Sequence, residues 1–587
     1  MSAPVGGGAG TEAPDDLLPA ARAWRDQDPD DQTRAELDAL IASATAGESA
    51  ASTELAARFA GRLQFGTAGL RGPLGAGPLR MNRVLVAQAA AGLASYLRAA
   101  VPERVPVVVV GYDGRVNSDV FARDSVEIFA GAGLRAVLLP TRLPTPVLAF
   151  AVRHLGADAG VMVTASHNPG QDNGYKVYLG AGPEAGSEDE TAGAQIVPPV
   201  DAAIAARIAE AARGSIADLP RSSAYEVAGD DVVEAYVDAT AGVAGDGAAR
   251  GAEGMVWAYT AMHGVGWQTF ARVLDRAGFP RPALAAAQIA PDGAFPTVAF
   301  PNPEEDGSMD LVIVAAREAG AEFALAQDPD ADRLAVAIPD AEGEWRRLTG
   351  NEVGLLLGLR AARAAADGAD GHDAPALASS LVSSPGLAAI AERYGLRAYE
   401  TLTGFKWISR APGLVFGYEE AIGYLVNPET VRDKDGISAS MAVLELAAHA
   451  RASGRTIADL LDDVAAEIGH HTSTQIAVRV DDVSLIAGVM AALRADPPSD
   501  FGDGAVIGTT DFLAPAASSD GGERPGGADA PPSDILRYLI DDGSRVIFRP
   551  SGTEPKLKVY LDVRGDTAAQ AAARLAVLED AVRALLP

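Results

Sequence analysis

The segment DPDADR sets three carboxylates, Asp328, Asp330 and Asp332, at alternate positions directly after the apolar run EFALAQ (322–327). Carboxylates so spaced at the end of a buried strand can converge on one hard cation with oxygen ligands, such as Mg²⁺. An EF-hand calcium loop is excluded, because it needs Gly at its sixth and Glu at its twelfth position, where Arg333 and Pro339 stand. A solvated acidic turn is the reading without chemistry. A second segment, VMVTASHNP (161–169), ends an apolar strand at Thr164 and leaves Ser166 and His167 in the loop that follows. Open α/β sheets place their sites at the carboxyl ends of strands. Ser166 is therefore a candidate nucleophile or phosphate carrier, although Ser, His, Asn and Pro also make ordinary turns.

Two more segments carry suitable groups. In RPSGTEPKLK (549–558), Arg549, Ser551, Gly552 and Thr553 offer a guanidinium, hydroxyls and backbone N–H groups as a phosphate cradle, and Lys556 and Lys558 add charge. In GYEEAIGY (417–424), Glu419 and Glu420 follow the apolar strand LVFGY, where carboxylates can accept from sugar hydroxyls. The whole chain works against a phosphate ligand: its 48 Lys+Arg and 79 Asp+Glu give a formal net charge of −31. Such a field repels nucleic acid, anionic membrane and phosphorylated substrates alike, so any phosphate site must be a local cluster of cations and donors. Only five lysines occur, Lys176, Lys406, Lys434, Lys556 and Lys558, and all lie in or beside these motifs or the ones named below.

The elements that must hold these residues follow from the hydrophobic pattern. The 587 residues exceed one core and suggest three to five domains. From 82 to 164 the sequence alternates a helix (82–98), a strand (105–110), a helix (118–131), a strand (135–139), a helix (146–155) and a strand (159–164), the pattern of a mainly parallel α/β sheet. A second α/β unit begins near 230, with strands at 255–260 and 322–327, and a third runs over 343–468 with a polar break at 366–374. The last unit has strands at 536–540, 545–549 and 557–563 joined by tight turns and helices at 483–494 and from 567 onward, which predicts a smaller antiparallel α+β domain. Residues 1–14 read as a disordered tail, 181–193 as a flexible loop and 515–533 as a disordered insertion. The chain has no cysteine, which excludes disulfides and thiol catalysis and fits a reducing cytoplasm. No secretory signal opens it, and Val84 to Leu97 reads as a core helix rather than a membrane span.

In order along the chain stand FGTAGLRG (65–72), GYDGR (111–115), TASHNP (164–169), NGYK (173–176), DPDADR (328–333), GFKW (404–407), EEAIGY (419–424), KDG (434–436) and RPSGTEPK (549–556). This set, spread over most of the sequence, resembles the α-D-phosphohexomutase superfamily of phosphoglucomutases and phosphomannomutases. GFKW, EEAIGY and DNGYKVY are similar to the branch that also contains phosphopentomutases and glucose-1,6-bisphosphate synthases.

The resemblance implies four domains around a central cleft, three similar α/β domains and a C-terminal α+β domain, here 15–228, 229–342, 343–468 and 469–587. It implies a phosphoserine at Ser166, with Mg²⁺ held by Asp328, Asp330, Asp332 and the seryl phosphate. Arg71 and Lys176 match residues at the reaction centre, and Arg333 would sit beside the transferring phosphate. Arg115, Gly404 and Lys406 match substrate-binding positions, while Glu419 and position 421 would face sugar hydroxyls. Arg549, Ser551, Gly552 and Thr553 would hold the non-reacting phosphate, in a mobile last domain that closes the cleft. Lys176, its pKa lowered by burial beside other cations, is the first candidate for proton transfer and His167 the second. A sugar 1,6-bisphosphate would prime the serine.

The sequence departs from the family in two places. Many relatives have Glu-x-Ser in the sugar loop, where this chain has Ala421, and a histidine that some hexose-specific members carry nearby is absent, Gly423 and Thr430 being the nearest positions. His263, in TAMHGVG, reads as a structural turn. Glucose phosphate is the first expected substrate, mannose phosphate the second, and ribose or deoxyribose phosphate the competitor. A sugar kinase lacks support because no GxxxxGK[ST] loop occurs. A Mg²⁺-dependent phosphatase remains a rival, and a purely binding role would not need Ser166 and the aspartates together. Monomer and homodimer both fit.

Overall fold

The valines of VVVVGY form a strand, Val107–Tyr112, because β-branched side chains suit a pleat covered on both faces. It is the middle of the first sheet in a computed structural model that describes residues 14–67, 69–181, 191–245, 247–366, 374–480, 482–514, 531–551 and 556–586. The expected tail, loop, polar break and insertion therefore lie largely outside the described residues, although Pro14 already opens a helix, Pro14–Gln27.

The first sheet has the strand order Leu70–Pro73, Asp172–Leu179, Ala159–Val163, Val107–Tyr112, Arg135–Leu138, Glu226–Val227. Its centre is parallel, and its first two strands are antiparallel additions. The second sheet runs Trp345–Arg347, Leu334–Pro339, Phe323–Gln327, Trp257–Thr260, Ala283–Leu284, and the third Arg397–Thr401, Ala376–Ser380, Leu414–Glu419, Gly423–Leu425. The fourth, His470–Arg479, Lys556–Gly565, Arg545–Pro550, Leu536–Ile540, Gly504–Asp511 and Asp500–Phe501, is antiparallel throughout. Three α/β units and one α+β unit are thus present, as expected. The helix expected over 82–98 runs Arg83–Ala100, capped by the Asn82 carboxamide oxygen, which accepts from Leu85 N at 3.0 Å. No helix among the described residues is long and apolar enough to cross a membrane.

The antiparallel partners Asp172–Leu179, Leu334–Pro339 and Gly423–Leu425 are among the elements that the pattern of the sequence did not disclose. They repeat one device. In each α/β unit a buried strand runs out, turns through a site segment, and returns beside itself: Ala159–Val163 through the Ser166 loop, Phe323–Gln327 through DPDADR, Leu414–Glu419 through EEAI. Each turn holds one non-glycine residue in the left-handed region, Ser166 (φ 52°), Ala331 (φ 54°) and Ile422 (φ 52°). RPSGTEPK likewise joins two antiparallel strands, Arg545–Pro550 and Lys556–Gly565.

One continuous core spans the first three units, joining Val147 and Phe150 to Trp257, Leu325, Phe416 and Ile437, and the first unit adds a second core around Leu85, Val110 and Phe121. The fourth has its own core, around Tyr538, Phe548 and Val559. It meets the third through a small cluster that includes Leu381, Val382, Ile547 and Tyr560, and through buried Arg545. That guanidinium donates to Asp562 Oδ2 (2.7 Å), Glu400 Oε1 (2.8 Å) and the Ser383 carbonyl.

Helix Gly436–Ala452 ties the third unit to the second. The Asp435 carboxylate caps it, accepting from Ile437 N and Ser438 N at 2.9 and 3.0 Å. Gly436 N donates to Ala331 O at 3.1 Å, and a Cβ at Gly436 would lie 2.3 Å from Arg333 O. Only glycine allows this approach. The Gly436→Ala variant is expected to lose about 1–3 kcal/mol through overpacking; an unchanged denaturant midpoint would show that this approach does not restrain the fold.

Candidate active site

Ser166 sits where the strand Ala159–Val163 ends. The Thr164 hydroxyl accepts from Ser166 N at 2.8 Å and supports the left-handed turn. The Ser166 hydroxyl then points across to the second unit, donating to Asp328 Oδ2 at 2.9 Å, with His167 Nδ1 at 3.2 Å. Burial first, and then Arg333 and Arg71, push the His167 pKa well below its ordinary value, so the imidazole is neutral.

Arg115, expected on the substrate, lies beneath this loop instead. It is buried and donates from Nη1 to Pro169 O (2.9 Å) and Asp172 O (3.0 Å), and from Nη2 to Ser166 O (2.6 Å) and Asn168 O. The flat face of the guanidinium covers the Phe295 ring, 4.9 Å from its centroid. A guanidinium fork suits a loop that turns several carbonyls inward, and that use leaves Arg115 outside both cavities of the cleft.

The three aspartates behave as the spacing predicted. Asp328, Asp330 and Asp332 are all fully buried and bring one oxygen each within 4.8 Å of one another. Asp328 Oδ1 accepts from Arg333 N at 3.0 Å. Asp330 Oδ2 accepts from the Thr145 hydroxyl (2.6 Å) and Lys176 Nζ (2.8 Å), and Asp332 Oδ2 takes Lys176 Nζ (3.1 Å) and Lys434 Nζ (3.0 Å). The other oxygens, Asp330 Oδ1 and Asp332 Oδ1, are buried with no hydrogen-bond donor among the described residues. Burial, then repulsion from Asp330 and Asp332, raises the Asp328 pKa well above the carboxylate range. Burial alone would raise Asp332 too, but Lys176, Lys434 and Arg333 outweigh it and hold that carboxylate well below its usual value. Bare, water-excluded carboxylate oxygens next to a hydroxyl make a donor set that fits a hard divalent cation of the Mg²⁺ class.

The lowered pKa expected for Lys176 is not found. Burial does act to lower it, but Asp330 and Asp332 together overcome that, and the net shift is upward. Lys176 is a held cation.

A cavity of about 340 Å³ opens above this centre. Ser166, His167, Arg71 and Lys176 line it from the first unit, and Arg333 from the second. Gly404, Glu419 and Ala421 come from the third and Arg549 from the fourth, so the cavity brings all four units together. Arg333 donates from Nη1 to Ala421 O at 2.9 Å, and Glu419 lies 4.0 Å from its Nη2. Lys406 does not line the cavity; its Nζ donates to the Thr67 hydroxyl and ties the third unit to the first. Ser551 N donates to Lys556 O at 2.8 Å across the base of the phosphate-loop hairpin. Gly552 and Thr553 lie outside the described residues. A second chamber of about 540 Å³ continues from the first, sharing His167, Arg333, Glu420, Ala421, Lys558 and Tyr560 with it. His263 is turn-bound, at φ 59° with Nε2 2.8 Å from the Thr297 hydroxyl, and lines neither chamber.

Two residues at the centre were not singled out from the sequence. Lys434 was visible as one of five lysines and as the first residue of KDG, but nothing local pointed it at Asp332. Thr145, whose N also donates to Asp330 O at 3.0 Å, carried no signal, because its partner is 185 residues away.

Known proteins place this arrangement. Four family models match in chain order: phosphoglucomutase/phosphomannomutase alpha/beta/alpha domains I, II and III over residues 62–211, 234–343 and 349–468, and the C-terminal domain over 476–580. A "probable phosphomannomutase" of Haemophilus influenzae is 50% identical over 506 residues, 86% of this chain and 98% of that protein. A mouse phosphopentomutase is 33% identical over 597 residues, 96% of this chain and 92% of that one. The crystal structure of a Burkholderia thailandensis phosphoglucomutase/phosphomannomutase family protein shares the fold, with a TM-score of 0.64, 20% identity, and coverage of 89% of this chain and 96% of that one. With its four domains matched in order and its aspartates, serine and cations gathered in one cleft, this chain belongs to the phosphoglucomutase/phosphomannomutase family, isomerases that move a phosphoryl group from one hydroxyl of a sugar phosphate to another.

Proposed function

We propose that the protein interconverts the 1-phosphate and 6-phosphate of a hexose, glucose first and mannose second, through a phosphoserine at Ser166 and a sugar bisphosphate. The observation that carries the reading is the approach of the Ser166 hydroxyl to Asp328 Oδ2, 2.9 Å, at the rim of the buried triad. The hexose is favoured by the 50% identical relative, which bears a phosphomannomutase name. A pentose phosphate is the second reading, supported by Ala421 in place of the serine of many relatives and by the phosphopentomutases at 33% and 32% identity. A cytoplasmic setting belongs to this reading, as does a monomer or homodimer.

Asp328, Asp330 and Asp332, with an oxygen of the seryl phosphate, would hold Mg²⁺. Bound there, such an ion would withdraw charge from the transferring phosphoryl group. The protein's own groups do the rest. In the first transfer the bond from phosphorus to Ser166 Oγ breaks, a bond to the free sugar hydroxyl forms, and the hydroxyl proton leaves to a nearby base. His167, neutral and beside Ser166, is the nearest neutral base. Lys176, Arg71 and Arg333 face the transferring group as fixed cations, so that charge is met without reorganisation. Arg549, with Ser551, Gly552 and Thr553 after it, holds the other phosphate. The bisphosphate then turns over in the cleft, and the reverse step returns a phosphoryl group to Ser166. Added sugar 1,6-bisphosphate would prime the unphosphorylated enzyme.

A coupled assay with glucose 1-phosphate, mannose 1-phosphate and ribose 1-phosphate, Mg²⁺ and a trace of glucose 1,6-bisphosphate tests the reading. Wild type is expected to turn over the hexoses fastest, and Ser166→Ala or chelation by EDTA to abolish turnover. A leading pentose would replace the substrate, steady release of inorganic phosphate would indicate a phosphatase, and an active Ser166→Ala variant would remove the phosphoserine mechanism.

Lys176→Met is expected to keep KM within a few-fold and lose about 100-fold or more in kcat, as for other lost groups that meet charge only in the transition state. Near-normal kcat would take Lys176 out of the reaction centre.

Thr145→Val removes the hydroxyl that fixes Asp330 and keeps the shape. Affinity for Mn²⁺, read by calorimetry on the resting protein, is expected to fall about 10-fold or more, with Thr145→Ser restoring it. Equal Mn²⁺ affinity in wild type and Thr145→Val would show that Asp330 needs no such support.

A further inference from the structure

Two residues of the turn TAMHGVG (260–266), Met262 (φ 46°) and His263 (φ 59°), stand in the left-handed region, and a third, Phe295 (φ 48°), lies on the segment that faces them. Side chains disfavour that conformation, and it persists only where the surroundings over-determine it. Here the surroundings lie in two directions. Toward the aspartates, Val265 N donates at 2.9 Å to the carbonyl of Pro329, the residue between Asp328 and Asp330. Away from them, His263 grips the segment 288–297. Its N donates to Gln288 O (2.8 Å), its carbonyl accepts from Asp292 N (2.9 Å), and its ring Nε2 lies 2.8 Å from the Thr297 hydroxyl. Gln288 Nε2 donates to the same hydroxyl at 3.0 Å, which leaves the hydroxyl proton for the imidazole. Burial holds the His263 pKa below its ordinary value, so the ring is neutral and can accept that proton.

The gripped segment meets the first unit directly beneath the serine loop. The Phe295 ring covers the Arg115 guanidinium, 4.9 Å from the ring centroid, and Arg115 holds the carbonyls of Ser166, Asn168, Pro169 and Asp172. A Cβ on Gly293 would stand 2.8 Å from Val116 N and 3.0 Å from Arg115 Cα, so the two segments touch backbone to backbone. The stretch 263–265 therefore ends on the aspartate loop at one side and, through Phe295 and Arg115, on the Ser166 loop at the other. We propose that His263 and Thr297 are positioning residues for the reaction: their bond fixes the segment 288–297 and with it the reach of Ser166 Oγ to Asp328 Oδ2, 2.9 Å. A displacement of about 1 Å between reacting groups can cost about 100-fold in rate, so a bond this far from the chemistry is felt there. The effect on rate rests on the phosphoserine reading above; the hold on the loop does not.

Thr297 is exposed, so Thr297→Val removes the hydroxyl without opening a core. Its kcat is expected to fall about 10-fold, with KM and the calorimetric Mn²⁺ affinity of the resting protein each within about twofold of wild type, and Thr297→Ser should restore it. His263→Asn keeps a residue that tolerates the left-handed region but is too short to reach Thr297, and should show the same loss. The two substitutions together should lose no more than either alone, because one bond can be removed only once. In hydrogen exchange read by mass spectrometry, peptides over 165–172 and 291–300 of Thr297→Val should exchange faster than in wild type, and a peptide over 328–333 should not. An unchanged kcat, a loss shared equally by KM and Mn²⁺ affinity, losses that multiply, or unaltered exchange over 165–172 each overturns the proposal. A wild type inactive on all three sugar phosphates would overturn the reaction reading instead, and the exchange measurement would still decide whether this bond holds the serine loop.

Discussion

Three carboxylates, each fully buried, stand within 4.8 Å of one another. No arrangement of the backbone alone could tolerate that, because an unpaired buried charge is far more costly than any single packing contact. The protein answers by bringing cations from elsewhere: Lys176 from the first unit, Lys434 from the third, and Arg333 from the loop itself. The triad is thus the electrostatic reason that three units pack around one point. Neutralisation is left incomplete where it matters. Among the described residues Asp330 Oδ1 and Asp332 Oδ1 accept no hydrogen bond, and only Asp332 Oδ1 has a cation near it, Arg333 Nε at 3.9 Å, so the field at that spot remains that of a cation site.

The same turn serves all three α/β units. A strand buried on both faces cannot carry polar groups along its length, so they collect at its end, and the return strand leaves them only a short hairpin loop. Fitting such a loop takes one residue in the left-handed region, a strain of about 1–2 kcal/mol for a residue with a side chain. It persists because the surroundings over-determine it. Ser166 is held by the Thr164 hydroxyl from within and by Arg115 from below, Ala331 by hydrogen bonds to Asp328 and Gly436, and Ile422 by Leu334 N, which donates to its carbonyl at 3.0 Å. The second and third loops are in effect sewn together, and the first is aimed at them.

What could be read in the sequence was whatever lay within a few residues. The alternation of DPDADR, the strand that precedes Ser166 and the four-unit order are local patterns, and they stand in the fold as written. The return strands escaped detection as Leu334–Pro339 (LAVAIP) did, which is buried from Leu334 to Ile338 and has no alternation to betray it. Arg115 was placed on the substrate by the resemblance of GYDGR to the family, and nothing in its spacing tells that Pro169 and Asp172 would present carbonyls to it. The error over Lys176 has the same origin. Burial beside cations was the visible part, and the two aspartates that reverse the shift lie more than 150 residues away, at 154 and 156.

Continuity of the core separates the fourth unit from this assembly. The first three units bury a common core, so moving one of them would expose large apolar surface, at about 25 cal/mol for each Å². The fourth has a core of its own and touches the third through a small apolar cluster and the Arg545 network. Polar and ionic contacts of that kind exchange for water at little net cost. The seam between the third and fourth units therefore shares less apolar core than the first three units share among themselves, and along it Arg549, Lys558 and Tyr560 line a cavity with Glu420. A rigid centre that keeps the aspartates and Ser166 in register, with a separable wall carrying Arg549, is an arrangement in which that wall can move without disturbing the groups whose charges must stay balanced.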